Sequence, residues 1–178
     1  MSDIWCYELK GAKYLLADER NKKHLLDQVL GMHERKNWRV YVFCLTDESA
    51  YVITDTGGDG TLKEEIEQSL VCFFRRYEGY LPQGGQRSLN LSERWRITGT
   101  ADLMEACREI HCLPVRLGYV HKPGDYWWSS YCMYCGGYAW PAVDCCVLLK
   151  FFSEEPEKAF VKFRRFHRKQ TSILNNNE

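Results

Sequence analysis

Runs of apolar and β-branched residues predict four short strands. Residues 39–45, RVYVFCL, are almost continuously apolar, which is typical of a strand covered on both faces. Residues 4–9 and 51–54 have a similar bias, and the short polar turn before residue 51 predicts a hairpin between the second and third strands. Residues 94–98 are predicted to form the last strand.

Apolar residues that recur every three or four positions predict three helices. They centre on residues 25–30, 62–77 and 101–112, and residues 11–23 are predicted to form a charged loop before the first helix. Pro114 is expected to end the third helix, because the residue before a proline disfavours helical geometry. The order βαββαβ predicts an α+β fold, namely a ferredoxin-like antiparallel sheet with an additional C-terminal helix or helices.

The pattern changes beyond residue 137. Pro156 suits the first turn of a new helix, in which Phe160, Phe163 and Phe166 repeat at three-residue spacing. Six basic residues accompany them: Lys158, Lys162, Arg164, Arg165, Arg168 and Lys169. Such a helix either lies along phosphates or docks its phenylalanines on the domain and leaves its charges in solvent.

Composition and length favour one compact unit. A chain of 178 residues with 45% hydrophobic residues can form a domain core and is not typical of a disordered protein. The 24 Lys and Arg balance the 24 Asp and Glu, which argues against indiscriminate nucleic-acid binding but not against a local basic face. The lack of a signal-peptide pattern or a membrane-spanning apolar run predicts a cytoplasmic protein that does not engage a membrane. The predicted organisation is a domain over residues 1–137, a helical extension packed on or beside it over residues 138–172, and a disordered tail over residues 173–178.

The nine cysteines are predicted to be reduced thiols, because their number is odd and no secretion signal accompanies them. Four lie in apolar patterns and are expected to be small core residues: Cys6, Cys44, Cys72 and Cys107. The others of note are a CxxC motif and a following adjacent pair: Cys132, Cys135, Cys145 and Cys146. Adjacent cysteines converge poorly on a tetrahedral ion, so packing is favoured over a zinc site or a redox dithiol, and no metal site is predicted.

Residues 108–137 carry the most specific pattern of the chain, REIHCLPVRLGYVHKPGDYWWSSYCMYCGG. This segment resembles the end of the transposase domain of the REP-associated tyrosine transposases, in the single-tyrosine HUH family, which carry runs such as YIHLNPVRAGLV and P-x-DYPWSSY. The identities in the first run are Ile110, His111, Pro114, Val115, Arg116, Gly118 and Val120. Those in the second are Pro123, Asp125, Tyr126, Trp128, Ser129, Ser130 and Tyr131.

The resemblance also identifies three positions at which the family's chemistry would be expected. In that family a tyrosine attacks a DNA phosphodiester, and two histidines in an H-x-H pattern on a strand hold Mg²⁺ or Mn²⁺. The equivalent residues here are Glu109 for the nucleophile and Ser49 and Tyr51 for the metal ligands. Since all three have changed, the expectation is a domain without strand cleavage and without a metal cofactor.

The partners implied by the resemblance are hairpin or single-stranded DNA and a second copy of the chain. The candidates for phosphate contacts are Arg75, Arg76, Arg94, Arg96, Arg116 and Lys122, because guanidinium and ammonium groups suit phosphate oxygens. One aromatic group either stacks on unpaired bases or wedges the C-terminal segment onto the core: Tyr126, Trp127, Trp128, Tyr131, Tyr134, Tyr138 and Trp140. Trp127 replaces a family proline and is expected to be the most exposed of these.

Three further interpretations stay open at this point. His111 is expected to be a structural hydrogen-bonding residue, since no second histidine lies near it in a ligand pattern. The scaffold could instead serve as a protein-interaction or regulatory module that does not bind DNA. It could also be an active, metal-dependent DNA-nicking transposase with a remodelled site, in which Glu109 and either Asp47 or Glu48 gather Mg²⁺.

Overall fold

A computed structural model describes residues 4–10, 16–59, 61, 64–65, 68, 90–137 and 141–175. Its centre is a sheet of four strands: β1 (Ile4–Lys10), β2 (Arg39–Leu45), β3 (Ser49–Asp55) and β4 (Asn90–Arg96). The strand order is β2-β3-β1-β4, and all neighbouring strands are antiparallel. This is the order of a ferredoxin-like sheet, so the predicted fold class is confirmed.

Helices surround this sheet. They are α1 (Glu19–Lys36), α2 (Thr100–Arg116), the short α3 (Cys145–Lys150) and α4 (Pro156–Asn175), and two 3₁₀ segments cover Pro123–Asp125 and Ser130–Cys135. The predicted helix over residues 62–77 lies outside the described residues, apart from residues 64, 65 and 68. Within the described ranges, every helix is too short or too polar to cross a membrane.

Two helix boundaries differ from the sequence-based expectation. Helix α1 begins at Glu19, inside the predicted loop, because the Asp18 carboxylate accepts a hydrogen bond from the Arg20 backbone N–H at 2.8 Å and caps the helix. The expectation that Pro114 ends α2 is wrong, since the helix continues to Arg116. Pro114 lies in the last turn, where its missing N–H removes one helical hydrogen bond, and its ring is buried in the core.

Strand β4 also differs from its prediction, since it begins at Asn90 rather than at residue 94 and ends at Arg96. Three of its first four residues, NLSE, are polar and have little strand propensity of their own. They are nevertheless extended because they pair with β1, from Lys10↔Asn90 onward. The neighbouring strand, rather than the local sequence, determines where β4 begins.

Among the described residues, the core forms two clusters, one on each face of the sheet. One cluster packs the first helix against the sheet and includes Leu25 and Val29 of α1 with Phe43 and Val52. The other packs α2 and the C-terminal helices against the opposite face; among its members are Val42, Ile53, Cys107, Ile110, Tyr134 and Phe163. Because both faces are covered, β2 is apolar along nearly its whole length, as its sequence predicts. The predicted core cysteines Cys6, Cys44 and Cys107 are buried, and Cys72 lies outside the described residues.

Strand β2 is at the edge of the sheet, and the segment after α2 covers that edge. The Leu45 backbone N–H donates to the Trp128 carbonyl at 2.8 Å, and the Tyr126 hydroxyl donates to the Leu45 carbonyl at 2.7 Å. At the other end of the strand, the Asp144 N–H donates to the Val40 carbonyl at 2.8 Å. Backbone groups that would otherwise be open at a sheet edge therefore have partners from residues far along the chain.

Side chains complete this cover in the middle of the strand. The Phe43 N–H donates to Ser130 Oγ at 3.1 Å. Tyr41 lies where the pairing of β2 with β3 shifts register, and its carbonyl accepts a hydrogen bond from the buried Tyr134 hydroxyl at 2.6 Å. A bulge leaves one residue outside the regular ladder, so the phenol satisfies a group that β3 does not.

We expect Tyr134→Phe to lower the free energy of unfolding by about 1–3 kcal/mol, because it leaves the buried Tyr41 carbonyl without this donor. Tyr126→Phe is the matched control. It removes a similar bond at the half-buried end of the strand, where water can replace the hydroxyl, and should cost less than about 1 kcal/mol. Urea unfolding followed by circular dichroism measures both values. If Tyr134→Phe is as stable as the unmodified protein, the hydrogen bond from Tyr134 to the Tyr41 carbonyl does not stabilise the sheet edge.

Candidate functional site

The positions that correspond to the family's metal-binding histidines lie on β3 and are engaged in other contacts. Ser49 and Tyr51 are two residues apart on one strand, so their side chains share a face. Ser49 is buried, and the Tyr51 hydroxyl donates to Glu8 Oε1 at 2.5 Å. Glu8 is itself buried, and its other oxygen lies 3.7 Å from Lys10 Nζ. A phenol and carboxylate pair therefore occupies the region where the family has imidazoles.

The position of the family nucleophile also has a new partner. Glu109 is on α2, and its Oε1 lies 3.7 Å from Arg116 Nη2, which also donates to the Glu109 carbonyl at 3.2 Å. Asp47, which could share a Mg²⁺ with Glu109, instead binds Lys22 Nζ at 2.6 Å. Among the described residues, neither carboxylate belongs to a group of three or more side chains close enough to bind one ion.

A basic pocket lies between the Pro123–Asp125 segment and α4. It has a volume of about 230 Å³. Its described lining combines basic side chains with one carboxylate and two aromatic rings: His121, Lys122, Arg164, Arg168, Asp125, Tyr131 and His167. Three cations and one anion give this lining an excess of positive charge although the chain as a whole is neutral. Guanidinium and ammonium groups at the mouth of a pocket are suited to bind phosphate oxygens.

The predicted phosphate contacts are distributed over several places. Lys122 lines the basic pocket, whereas Arg116 is engaged with Glu109. The Arg96 guanidinium lies over the Trp5 ring, 5.9 Å from its centroid. Arg75 and Arg76 lie outside the described residues, as does the side chain of Arg94.

Sequence reasoning missed Arg164, Arg168 and His121 as members of this pocket. The helical spacing of Arg164 and Arg168 puts them on one face of α4, which was the available signal. The sequence does not predict that this face lines the same pocket as Lys122, because Lys122 and Arg164 are 42 positions apart.

The aromatic group divides between core and surface. Tyr131 and Tyr134 are buried, and Tyr126 and Trp128 are half-buried, which favours wedging of the C-terminal segment onto the core. Trp127 is 66% exposed, as expected for the residue that replaces the family proline. Tyr138 and Trp140 lie outside the described residues.

Beneath the pocket, two helices bring together two histidines and a cysteine. His111 of α2 and His167 of α4 are buried, and His111 Nδ1 lies 3.3 Å from His167 Nε2 and 3.4 Å from Cys107 Sγ. His111 Nε2 lies 2.8 Å from Ser130 Oγ, so the expected hydrogen-bonding role of His111 is confirmed. The expectation that His111 has no histidine near it is wrong, because His167 comes from a helix 56 residues further along the chain.

Burial keeps both imidazoles uncharged near neutral pH. Desolvation lowers the pKa of His111 well below its usual value, and the adjacent His167 lowers it further. Burial also lowers the pKa of His167 to about 4, although the hydrogen bond with the Phe163 carbonyl opposes this shift. Neutral imidazoles are the forms that bind metal ions or relay hydrogen bonds.

The fold is shared with a solved transposase. No family model matches the chain, and no curated protein matches it significantly. Among solved structures, the chain is similar to a REP-associated tyrosine transposase bound to a REP hairpin, with 16% sequence identity and a TM-score of 0.59 over 80% of this chain and 87% of the other. The chain therefore has the fold of the family that its residue 108–137 segment resembles.

Proposed function

We propose that this protein binds hairpin or single-stranded DNA through a transposase scaffold and does not cleave it. The observation that carries the proposal is the structural match to a transposase bound to a REP hairpin, which extends over 80% of the chain. The motif in residues 108–137 supports the same assignment independently, because it rests on residue identities rather than on the shape of the backbone.

The basic pocket supports DNA as the ligand. Lys122, Arg164 and Arg168 converge there from two parts of the chain, and a phosphodiester supplies the negative charge and acceptor oxygens that such groups bind. The exposed Trp127 ring offers a flat surface for an unpaired base. Phosphate contacts would position the DNA, and stacking would favour strands whose bases are accessible.

The residues at the three family positions support the proposed absence of strand cleavage. Ser49 and Tyr51 lack the imidazole nitrogens that hold the metal in the family, and Glu109 lacks a phenol that can attack phosphorus. The Tyr51 hydroxyl donates a hydrogen bond to Glu8, and the Glu109 carboxylate lies close to Arg116. The homodimer and the cytoplasmic location implied at the sequence level stay predictions.

Arg164→Ala and Lys122→Ala should each weaken binding of a fluorescent DNA hairpin, by up to about tenfold at low salt. Each should also reduce the slope of log affinity against log salt by about 1, because one phosphate contact is lost. Fluorescence anisotropy over a salt series measures both effects. Arg165→Ala is the matched control, since it removes the same charge from the adjacent, exposed position of α4 that does not line the pocket.

If the unmodified protein binds neither hairpin nor single-stranded DNA at low salt, the DNA-binding proposal is wrong and the interaction-module alternative is favoured. If Arg165→Ala has the same effect as Arg164→Ala, the contact is general attraction to α4 rather than the pocket.

Trp127→Ala should reduce the affinity for single-stranded DNA by about 1–3 kcal/mol while changing the affinity for a blunt duplex much less, because only unpaired bases stack on the ring. Competition binding with the two DNA forms tests this difference. Trp127→Phe keeps an aromatic face and should retain most of the affinity. An equal loss for both DNA forms would exclude base stacking as the role of Trp127.

The unmodified protein should form no covalent adduct with single-stranded or hairpin DNA in Mg²⁺ or Mn²⁺, as measured by denaturing gel electrophoresis and mass spectrometry. A variant that combines Ser49→His, Tyr51→His and Glu109→Tyr is the matched comparison, because it restores the family's residue types on the same scaffold. An adduct between the unmodified protein and a DNA end would refute the loss of cleavage and support the remodelled-nuclease alternative.

A further inference from the structure

We propose that Cys107, His111 and His167 bind a zinc ion that joins α2 to α4. The three candidate ligand atoms are Cys107 Sγ, His111 Nδ1 and His167 Nε2, and all lie within 4.8 Å of one another. All three residues are buried, and none of them lies on β3, which carries the family's metal position. The inference does not depend on DNA binding.

Two of the three distances between the ligand atoms match the edges of a tetrahedral zinc centre, and the third is within 4.8 Å. With zinc–nitrogen bonds near 2.1 Å and a zinc–sulfur bond near 2.3 Å, ideal tetrahedral edges are about 3.4 Å between nitrogens and about 3.6 Å between sulfur and nitrogen. The observed distances are 3.3 Å from His111 Nδ1 to His167 Nε2 and 3.4 Å from His111 Nδ1 to Cys107 Sγ. Only small side-chain adjustments are needed to place an ion between them.

The outward nitrogen of each imidazole already has the kind of partner that orients a zinc ligand. His167 Nδ1 donates to the Phe163 carbonyl at 3.0 Å, which leaves Nε2 as a lone-pair donor toward the centre of the cluster. His111 Nε2 lies 2.8 Å from Ser130 Oγ, and this serine is held in turn by the Phe43 backbone. Histidines that bind zinc characteristically donate their second N–H to such oxygen atoms.

A metal-free arrangement accounts for fewer of these contacts. Because His167 Nδ1 must donate to a carbonyl, His167 Nε2 is an acceptor. If His111 Nδ1 is unprotonated, it accepts from the Cys107 thiol, and no proton lies between His111 Nδ1 and His167 Nε2. If His111 Nδ1 is protonated, it donates to His167 Nε2. His111 Nε2 would then accept the Ser130 hydroxyl proton, which leaves the contact between Ser130 Oγ and the Phe43 carbonyl at 3.3 Å without a proton. With zinc bound, His111 Nε2–H donates to Ser130, the Ser130 hydroxyl donates to Phe43, and Cys107 becomes a third ligand.

The donor set and its surroundings suit zinc. A thiolate and two imidazoles are typical ligands of this ion and poor ligands of Mg²⁺ or Ca²⁺. A thiolate with Zn²⁺ leaves one net positive charge, and the nearby Arg108 is compensated by its ion pair with Glu105. His167 also lines the basic pocket, and we assign the fourth coordination position to a solvent molecule on that side.

The first test uses the unmodified protein, produced without a metal-binding tag and refolded with Zn²⁺. We expect one equivalent of zinc by elemental analysis, and X-ray absorption at the zinc edge should show one sulfur and two imidazole nitrogens. Replacement by Co²⁺ should produce a thiolate-to-cobalt charge-transfer band. A protein that folds but retains no zinc, or whose zinc has several sulfur ligands, would overturn the proposal.

The second test uses variants. Cys107→Ser should abolish the charge-transfer band and weaken zinc binding at least tenfold, whereas Cys146→Ser, at an exposed cysteine, should leave both unchanged. Ser130→Ala should weaken binding by roughly 10–100-fold, because it removes the group that orients His111. If Cys107→Ser does not fold, the absorption spectrum of the unmodified protein still decides the ligand set. Unchanged binding in a folded Cys107→Ser variant would overturn the proposal.

Discussion

The described structure depends on hydrogen-bond partners for the backbone groups at the outer edge of β2. A strand buried on both faces cannot leave its outer backbone groups exposed to an apolar environment without a large desolvation cost. The segment from Tyr126 to Asp144 resolves this problem with main-chain partners at both ends of the strand and the side chains of Ser130 and Tyr134 between them. The sheet is thereby closed to pairing with another chain along this edge.

Residues of the segment that matches the family motif provide this cover. Tyr126, Trp128 and Ser130 match the family motif, and each supplies a hydrogen bond to β2. Ser49, Tyr51 and Glu109, at the positions of the family's catalytic residues, have no part in that cover. The atoms that cover the sheet edge are therefore different from the atoms at the three family positions, so the fold does not by itself decide the activity.

Ser130 also links the edge of the sheet, through buried hydrogen-bonding contacts, to the wall of the basic pocket. Its hydroxyl contacts both the Phe43 backbone and His111, and His111 contacts His167 of α4. His167 forms part of the wall of the basic pocket, where Arg164 and Lys122 meet. A buried series of polar contacts that begins at β2 therefore helps to position the basic residues. These directional contacts hold α4 in addition to the packing of Phe163.

The sequence alone determined the identity and order of the four strands, the apolar character of β2 and the exposure of Trp127, because these features follow from local periodicity and from a motif of adjacent residues. Local patterns did not determine the start of β4, which is set by pairing with β1, or the passage of α2 through Pro114, which is set by packing at its last turn. Only the tertiary structure brought His167 to His111, and Arg164 to Lys122. Such contacts join residues many positions apart, and they form only when two elements pack at a particular angle and register, which no short stretch of sequence encodes.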